Sequence, residues 1–261
     1  MLRIKLSSSL IGAKIYQPVD LKPMGGIVLL HGSEGGSTGK IDVMAALMAA
    51  HGFFAMPKPY NKADVLLTRP DIKDVPLEGT EEALICMKEI MADYGQKTGL
   101  YGVSRGAEQA LLLSQLLAEE SSQALPDAVA VHAPTSKIKP AFILANYQSG
   151  IARISNKLRS LLFRKKVESA WRWRNSNQRI LPGNDIAIER YPHPLLITHG
   201  IEDKVWNVEE SKILAKRRQI AGLPTEVKYF PGEGHILEIN ACNQQLKLLV
   251  DFFTRNLSDT S

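Results

Sequence analysis

Short runs of apolar and β-branched residues alternate along this chain with longer stretches whose apolar positions recur every three or four residues. The short runs read as strands, and the longer stretches read as helices with one covered face. On this pattern strands fall at 3–6, 13–17, 26–30, 53–56, 98–103, 128–132, 195–198 and 226–230. Helices fall at 41–50, 79–93, 105–118, 209–221 and 236–256, with Gly or polar punctuation nearby. The alternation predicts an α/β protein with a mostly parallel central sheet and helices on both of its faces.

One stretch, 135–190, breaks the rhythm and is too long for a plain connection between a strand and the next element. It holds 12 Lys or Arg against 3 Asp or Glu, whereas the whole chain carries only +5, so the basic character is local and the remainder is net negative. Within it Ile151, Ile154, Leu158, Leu161 and Leu162 recur at helical spacing beside Arg153, Lys157, Arg159, Arg164, Lys165 and Lys166. That pattern predicts a basic amphipathic helix in a cap insertion. Two readings stand for it: contact with an anionic leaving group or anionic membrane surface, or a solvated lid with no charged partner. The Trp171-Arg172-Trp173-Arg174 interleaving is brief and fits no nucleic-acid module, so no nucleic acid is expected as a partner.

The 261 residues are 44% hydrophobic and 23% charged, which predicts a self-folding globular chain: one domain over 1–261 with the insertion at 135–190. No apolar run approaches the roughly 18 residues needed to cross a bilayer. The start reads as a strand rather than a leader. Two cysteines, Cys86 and Cys242, make no disulfide framework, which predicts a reducing, cytoplasmic setting.

The candidate chemistry begins at Gly102-Val103-Ser104-Arg105-Gly106, between a strand and a helix. A serine held in a tight strand-to-helix turn needs small neighbours, and its hydroxyl then projects above the sheet beside a helix N-terminus. A serine hydroxyl is barely nucleophilic by itself, so this nucleophile elbow predicts an acid and a histidine later in the chain. Both are present: Asp203 follows Thr198-His199-Gly200-Ile201-Glu202, and His235 follows Pro231-Gly232-Glu233-Gly234. Each motif follows a strand, so three loops converge at the carboxyl edge of the sheet. Glu202 competes with Asp203 for the acid role, and Asp203 is preferred for its distance from the His-Gly pair.

An acyl-transfer site also needs donors for a developing oxyanion. The strand 26–30 opens into His31-Gly32-Ser33-Glu34-Gly35-Gly36, and the backbone N–H groups of Ser33 and Arg105 are the expected donors. His31 and His199 are expected to brace their loops through backbone hydrogen bonds. No pair of histidines has metal-ligand spacing with a supporting carboxylate, so neither metal nor organic cofactor is expected.

Gly102-Val103-Ser104-Arg105-Gly106-Ala107-Glu108 resembles the elbow of the acyl-CoA thioesterase and bile acid-CoA:amino acid N-acyltransferase C-terminal domain family, in which a basic residue follows the nucleophile. Gly200-Ile201-Glu202-Asp203-Lys204-Val205-Trp206 and Tyr229-Phe230-Pro231-Gly232-Glu233-Gly234-His235 are similar to that family's acid and histidine motifs. Dienelactone-hydrolase-like enzymes are kin, although their nucleophile is usually cysteine. The resemblance spans roughly 26–249, and implies an α/β-hydrolase fold and cleavage of a small-molecule acyl ester or thioester, acyl-CoA included, through an acyl-serine. A catalytically silent scaffold of the same fold, binding a small ligand or a protein partner, is the alternative.

Overall fold

The computed structural model describes residues 2–6, 13–19, 21–35, 39–60, 71–143 and 168–258. In chain order its strands are β1 (Leu2–Leu6), β2 (Lys14–Pro18), β3 (Gly26–Leu30), β4 (Phe54–Pro57), β5 (Val75–Pro76), β6 (Thr98–Val103), β7 (Ala128–His132), β8 (Trp171–Arg172), β9 (Leu195–Gly200) and β10 (Thr225–Phe230). The helices are α1 (Lys40–Ala50), α2 (Glu78–Ala92), α3 (Arg105–Glu119), α4 (Glu209–Ile220) and α5 (Ile239–Leu257). Eight strands form one sheet in the order β1-β2-β4-β3-β6-β7-β9-β10. From β4 to β10 every neighbouring pair is parallel, while β1 and β2 join antiparallel at one edge.

The central strands lack a polar face because both sides of the sheet are covered. In β3, Val28 and Leu30 pack on the side that holds Leu84 and Met87 of α2 and Leu111 of α3. Ile27 and Leu29 face the other side, against Ala45 and Met48 of α1 and Phe252 and Phe253 of α5. The same division separates Val129 and Val131 from Ala128 and Ala130 in β7. Fully burying a side chain of this kind contributes roughly 1.5 to 3 kcal/mol, so these two layers hold the strand ends in register.

Element boundaries agree with the pattern reading within three residues. The largest difference is the last helix, expected from 236 and observed from Ile239. Residues 236–238 stay in the loop because the Glu233 carboxylate accepts the Glu238 N–H at 2.7 Å, closing that loop ahead of the helix. The two-residue pair β5 and β8 is not visible as a periodicity; it joins the later part of the 135–190 segment to the residues before α2. The amphipathic helix expected around 151–166 lies outside the described residues, and the segments flanking it form isolated bridges and β8. Trp171 and Trp173 are buried there, with their indole N–H groups on Glu108 and Glu120, so the Trp-Arg interleaving anchors this part of the chain to α3. Among the described residues no helix is long and apolar enough to cross a membrane.

Candidate active site

At the end of β6 the chain turns through Ser104 with φ 52° and ψ −116°, a conformation costly for a residue with a Cβ. The turn closes because its neighbours lack side chains. A Cβ on Gly102 would lie 2.2 Å from the Gly106 carbonyl oxygen, and one on Gly106 would lie 2.4 Å from that of His31. The Ser104 N–H donates to the His132 carbonyl at 2.9 Å, which ties the elbow to β7. α3 begins at the next residue, so the Arg105 N–H belongs to a helix first turn without an intrahelical acceptor.

The three motif residues, far apart in the chain, meet beside this turn. His235 Nε2 lies 2.9 Å from Ser104 Oγ, and His235 Nδ1 lies 2.6 Å from Asp203 Oδ2. Asp203 is buried, and its other oxygen accepts the backbone N–H groups of Val205 and Trp206 at 2.7 and 3.0 Å. Burial alone would raise the Asp203 pKa, but the hydrogen bonds from His199, His235 and the Trp206 N–H outweigh it and hold the carboxyl well below the usual range. Glu202 is exposed and donates its N–H to the Glu233 carbonyl at 2.8 Å, so it is Asp203 that meets the imidazole. The acid and histidine loops touch closely: a Cβ on Gly200 would lie 2.2 Å from the Gly234 carbonyl oxygen.

Ser33 sits in the turn that follows β3 and lines the same cavity as Ser104. That turn is braced from behind. His31 Nδ1 donates to the Gly32 carbonyl at 2.7 Å, and the Tyr60 hydroxyl lies 2.9 and 3.1 Å from the carbonyls of His31 and Gly32. The Gly32 N–H donates to Glu34 Oε1 at 3.0 Å. The cavity measures about 320 Å³ and runs from Ser104 and His235 between Ile41, Met44, Val103 and Leu237.

Two residues here went beyond the motif reading. His199 does brace its loop through the Trp206 carbonyl, but its Nε2 also lies 3.0 Å from Asp203 Oδ2. Trp206 packs edge-on against His235 with ring centroids 6.0 Å apart. The signal for both was their position in the acid motif, which carries no pairing information by itself.

This geometry can be set beside known proteins. The chain is similar to acyl-coenzyme A thioesterase 6 of Mus musculus, 26% identical over 239 residues, covering 90% of this chain and 54% of that protein. Its counterpart from Homo sapiens is 25% identical over 228 residues, covering 87% and 52%. The chain thus spans about half the length of the curated relatives it matches. A family model described as "Prolyl oligopeptidase family" matches residues 160–260, a span with Asp203 and His235 but without Ser104. Among solved structures, the esterase Est2 of Thermogutta terrifontis with butyrate bound superimposes with a TM-score of 0.62 at 17% identity, covering 97% of this chain and 94% of that one. MGS-M1, an α/β hydrolase enzyme from a Medee basin deep-sea metagenome library, gives 0.58 at 14% identity, covering 96% and 98%. The fold is that of an α/β-hydrolase. The architecture expected from the elbow and its loops is therefore the observed one, and the similarity to acyl-CoA thioesterases agrees with the motif resemblance.

Proposed function

We propose that the chain is a serine hydrolase that cleaves a carboxylic ester or acyl thioester through an acyl-serine intermediate. The observation that carries this reading is the unbroken hydrogen-bonded path from Ser104 Oγ through His235 to Asp203 at the mouth of an apolar cavity. In the first half-reaction Ser104 Oγ attacks the acyl carbon while His235 Nε2 takes the hydroxyl proton. Asp203 orients the imidazole and stabilises its cationic form without itself gaining the proton. The oxyanion is received by the N–H groups of Ser33 and Arg105, each such donor being typically worth about 3 kcal/mol in the transition state. His235 then protonates the departing thiol or alcohol, and in the second half-reaction it activates water to release the acid.

The cavity gives the acyl group a place. Its walls at Ile41, Met44, Val103 and Leu237 suit an apolar chain. The thioesterase relatives favour a thioester leaving group, and the local basic charge of 135–190 suits an anionic one such as a coenzyme A phosphate. The low cysteine count supports a reducing, cytoplasmic setting.

The test is labelling by a fluorophosphonate together with a hydrolysis screen across acyl-CoA and p-nitrophenyl esters of graded length. Wild type should label and turn over, and Ser104→Ala should do neither while keeping its fold by circular dichroism. Full turnover by Ser104→Ala would end the proposal.

A further inference from the structure

His199 is fully buried, and both of its ring nitrogens are engaged. Nε2 lies 3.0 Å from Asp203 Oδ2 and 3.0 Å from the Trp206 carbonyl oxygen. Both partners are acceptors, so this nitrogen carries a proton and shares it between them. Nδ1 lies 2.6 Å from the Ser211 hydroxyl, which comes from α4 and is itself fully buried. The oxygen that receives His199 is the same Oδ2 that receives His235 Nδ1 at 2.6 Å. Asp203 therefore stands between two imidazoles, with its other oxygen fixed by two backbone N–H groups.

We propose that His199 is a positioning residue of the relay, acting on His235 through the carboxylate oxygen the two imidazoles share. This inference rests on reading Ser104, Asp203 and His235 as a catalytic triad. A carboxylate with two donors on one oxygen and two on the other has little freedom to rotate, so Oδ2 keeps one lone-pair direction for His235. The second donor also draws electron density from Oδ2, so the shared oxygen holds the His235 imidazolium less tightly than an unshared one would. Its removal should strengthen the hold of Oδ2 on the His235 imidazolium and leave the carboxylate less well aimed.

Glu34, Lys40 and Cys242 line the cavity beside His235, and Arg105 and Lys139 lie 5.9 and 6.0 Å from the Trp206 ring that packs against it. His235 comes from the loop after β10, Ser211 from α4, and His132 from the end of β7. His132 is kept neutral, since burial first and then the neighbouring His199 and His235 push its pKa down to about 3. It adds no charge that titrates with the relay in the working range.

The experiment is the pH profile of kcat/KM for p-nitrophenyl butyrate in wild type, His199→Leu, His199→Gln and Ser211→Ala. In His199→Leu the acid limb should move to higher pH by roughly 0.4 to 1 unit, the span of one hydrogen bond's net strength. kcat should fall with little change in KM. His199→Gln, whose amide can still donate to Asp203, should restore the wild-type limb. Ser211→Ala, a small excision that loosens the His199 ring, should move the limb the same way by less; it carries the test should His199→Leu fail to fold. Active variants whose acid limbs coincide with wild type would overturn this inference alone. A wild-type protein that neither labels with fluorophosphonate nor hydrolyses any ester would overturn the hydrolase reading, and this one with it.

Discussion

Asp203 and Glu108 are both buried carboxylates, and the protein holds them in opposite ways. Asp203, in the loop after β9, receives two imidazoles on one oxygen and two backbone N–H groups on the other. Glu108, in the first turns of α3, receives Arg105 Nη1 at 2.8 Å, the Lys139 N–H at 2.8 Å and the Trp171 indole N–H at 3.0 Å. Burial pushes both pKa values up. At Asp203 the hydrogen bonds win and the value falls; at Glu108 burial wins over Arg105 and the other donors, and the value rises. Neither carboxylate side chain is exposed, so the difference lies in what surrounds each. Asp203 faces a histidine whose side chain is 18% exposed at the cavity mouth, whereas Glu108 is sealed beneath Trp171 with no exposure. A covered carboxylate beside the cavity is held charged by its donors, while one beneath Trp171 serves as a clamp between α3 and the 135–190 segment.

The comparison would be broken most sharply by Asp203→Asn. The uncharged amide cannot stabilise the imidazolium, so kcat per folded protein should fall by about 10⁴-fold, far more than the accompanying loss of stability removes, as read by ester hydrolysis beside differential scanning fluorimetry at about pH 7.

Glu108→Ala should reverse that pattern. It leaves the Arg105 guanidinium without its carboxylate partner, and removing one member of a buried pair costs about 3 to 5 kcal/mol. Urea unfolding should register that loss, while activity per labelled active site stays within about tenfold of wild type.

A smaller effect separates the two by sign. A depressed value means that Asp203 adds stability above its unfolded pKa, near pH 4, and that this is lost as pH falls through the folded value. A raised value means that the contribution of Glu108 is present below about pH 4 and is lost as pH rises through its folded value. Urea midpoints measured from pH 3 to 7 should therefore lose part of their acid-side fall in Asp203→Asn. In Glu108→Gln they should lose a component that declines with rising pH. Slopes that change in the same direction in both variants would contradict the contrast.

The smallest effect is expected at Arg174, which stacks on Trp173 at 3.9 Å and pairs with Glu81 and Glu120 but is 47% exposed. Arg174→Ala should cost no more than about 1 kcal/mol and leave hydrolysis unaltered. A larger loss would mean that the 171–174 strand region depends on surface ion pairs as much as on the Glu108 clamp.

Local pattern was enough to read the strands of the main sheet, the five α-helices of the described residues, and the loops that bear Ser104, Asp203 and His235. The reason is that each depends on short-range facts: period of burial, glycines where a Cβ would collide, and motifs that directly follow strands. Strand order, the second imidazole on Asp203, the Trp171 contact to Glu108 and the β5–β8 pair were decided only in three dimensions. Each joins residues whose meeting depends on how separate elements pack, as when α4 brings Ser211 to His199. A hydrogen bond across such a distance leaves no trace in either partner's own neighbourhood along the chain.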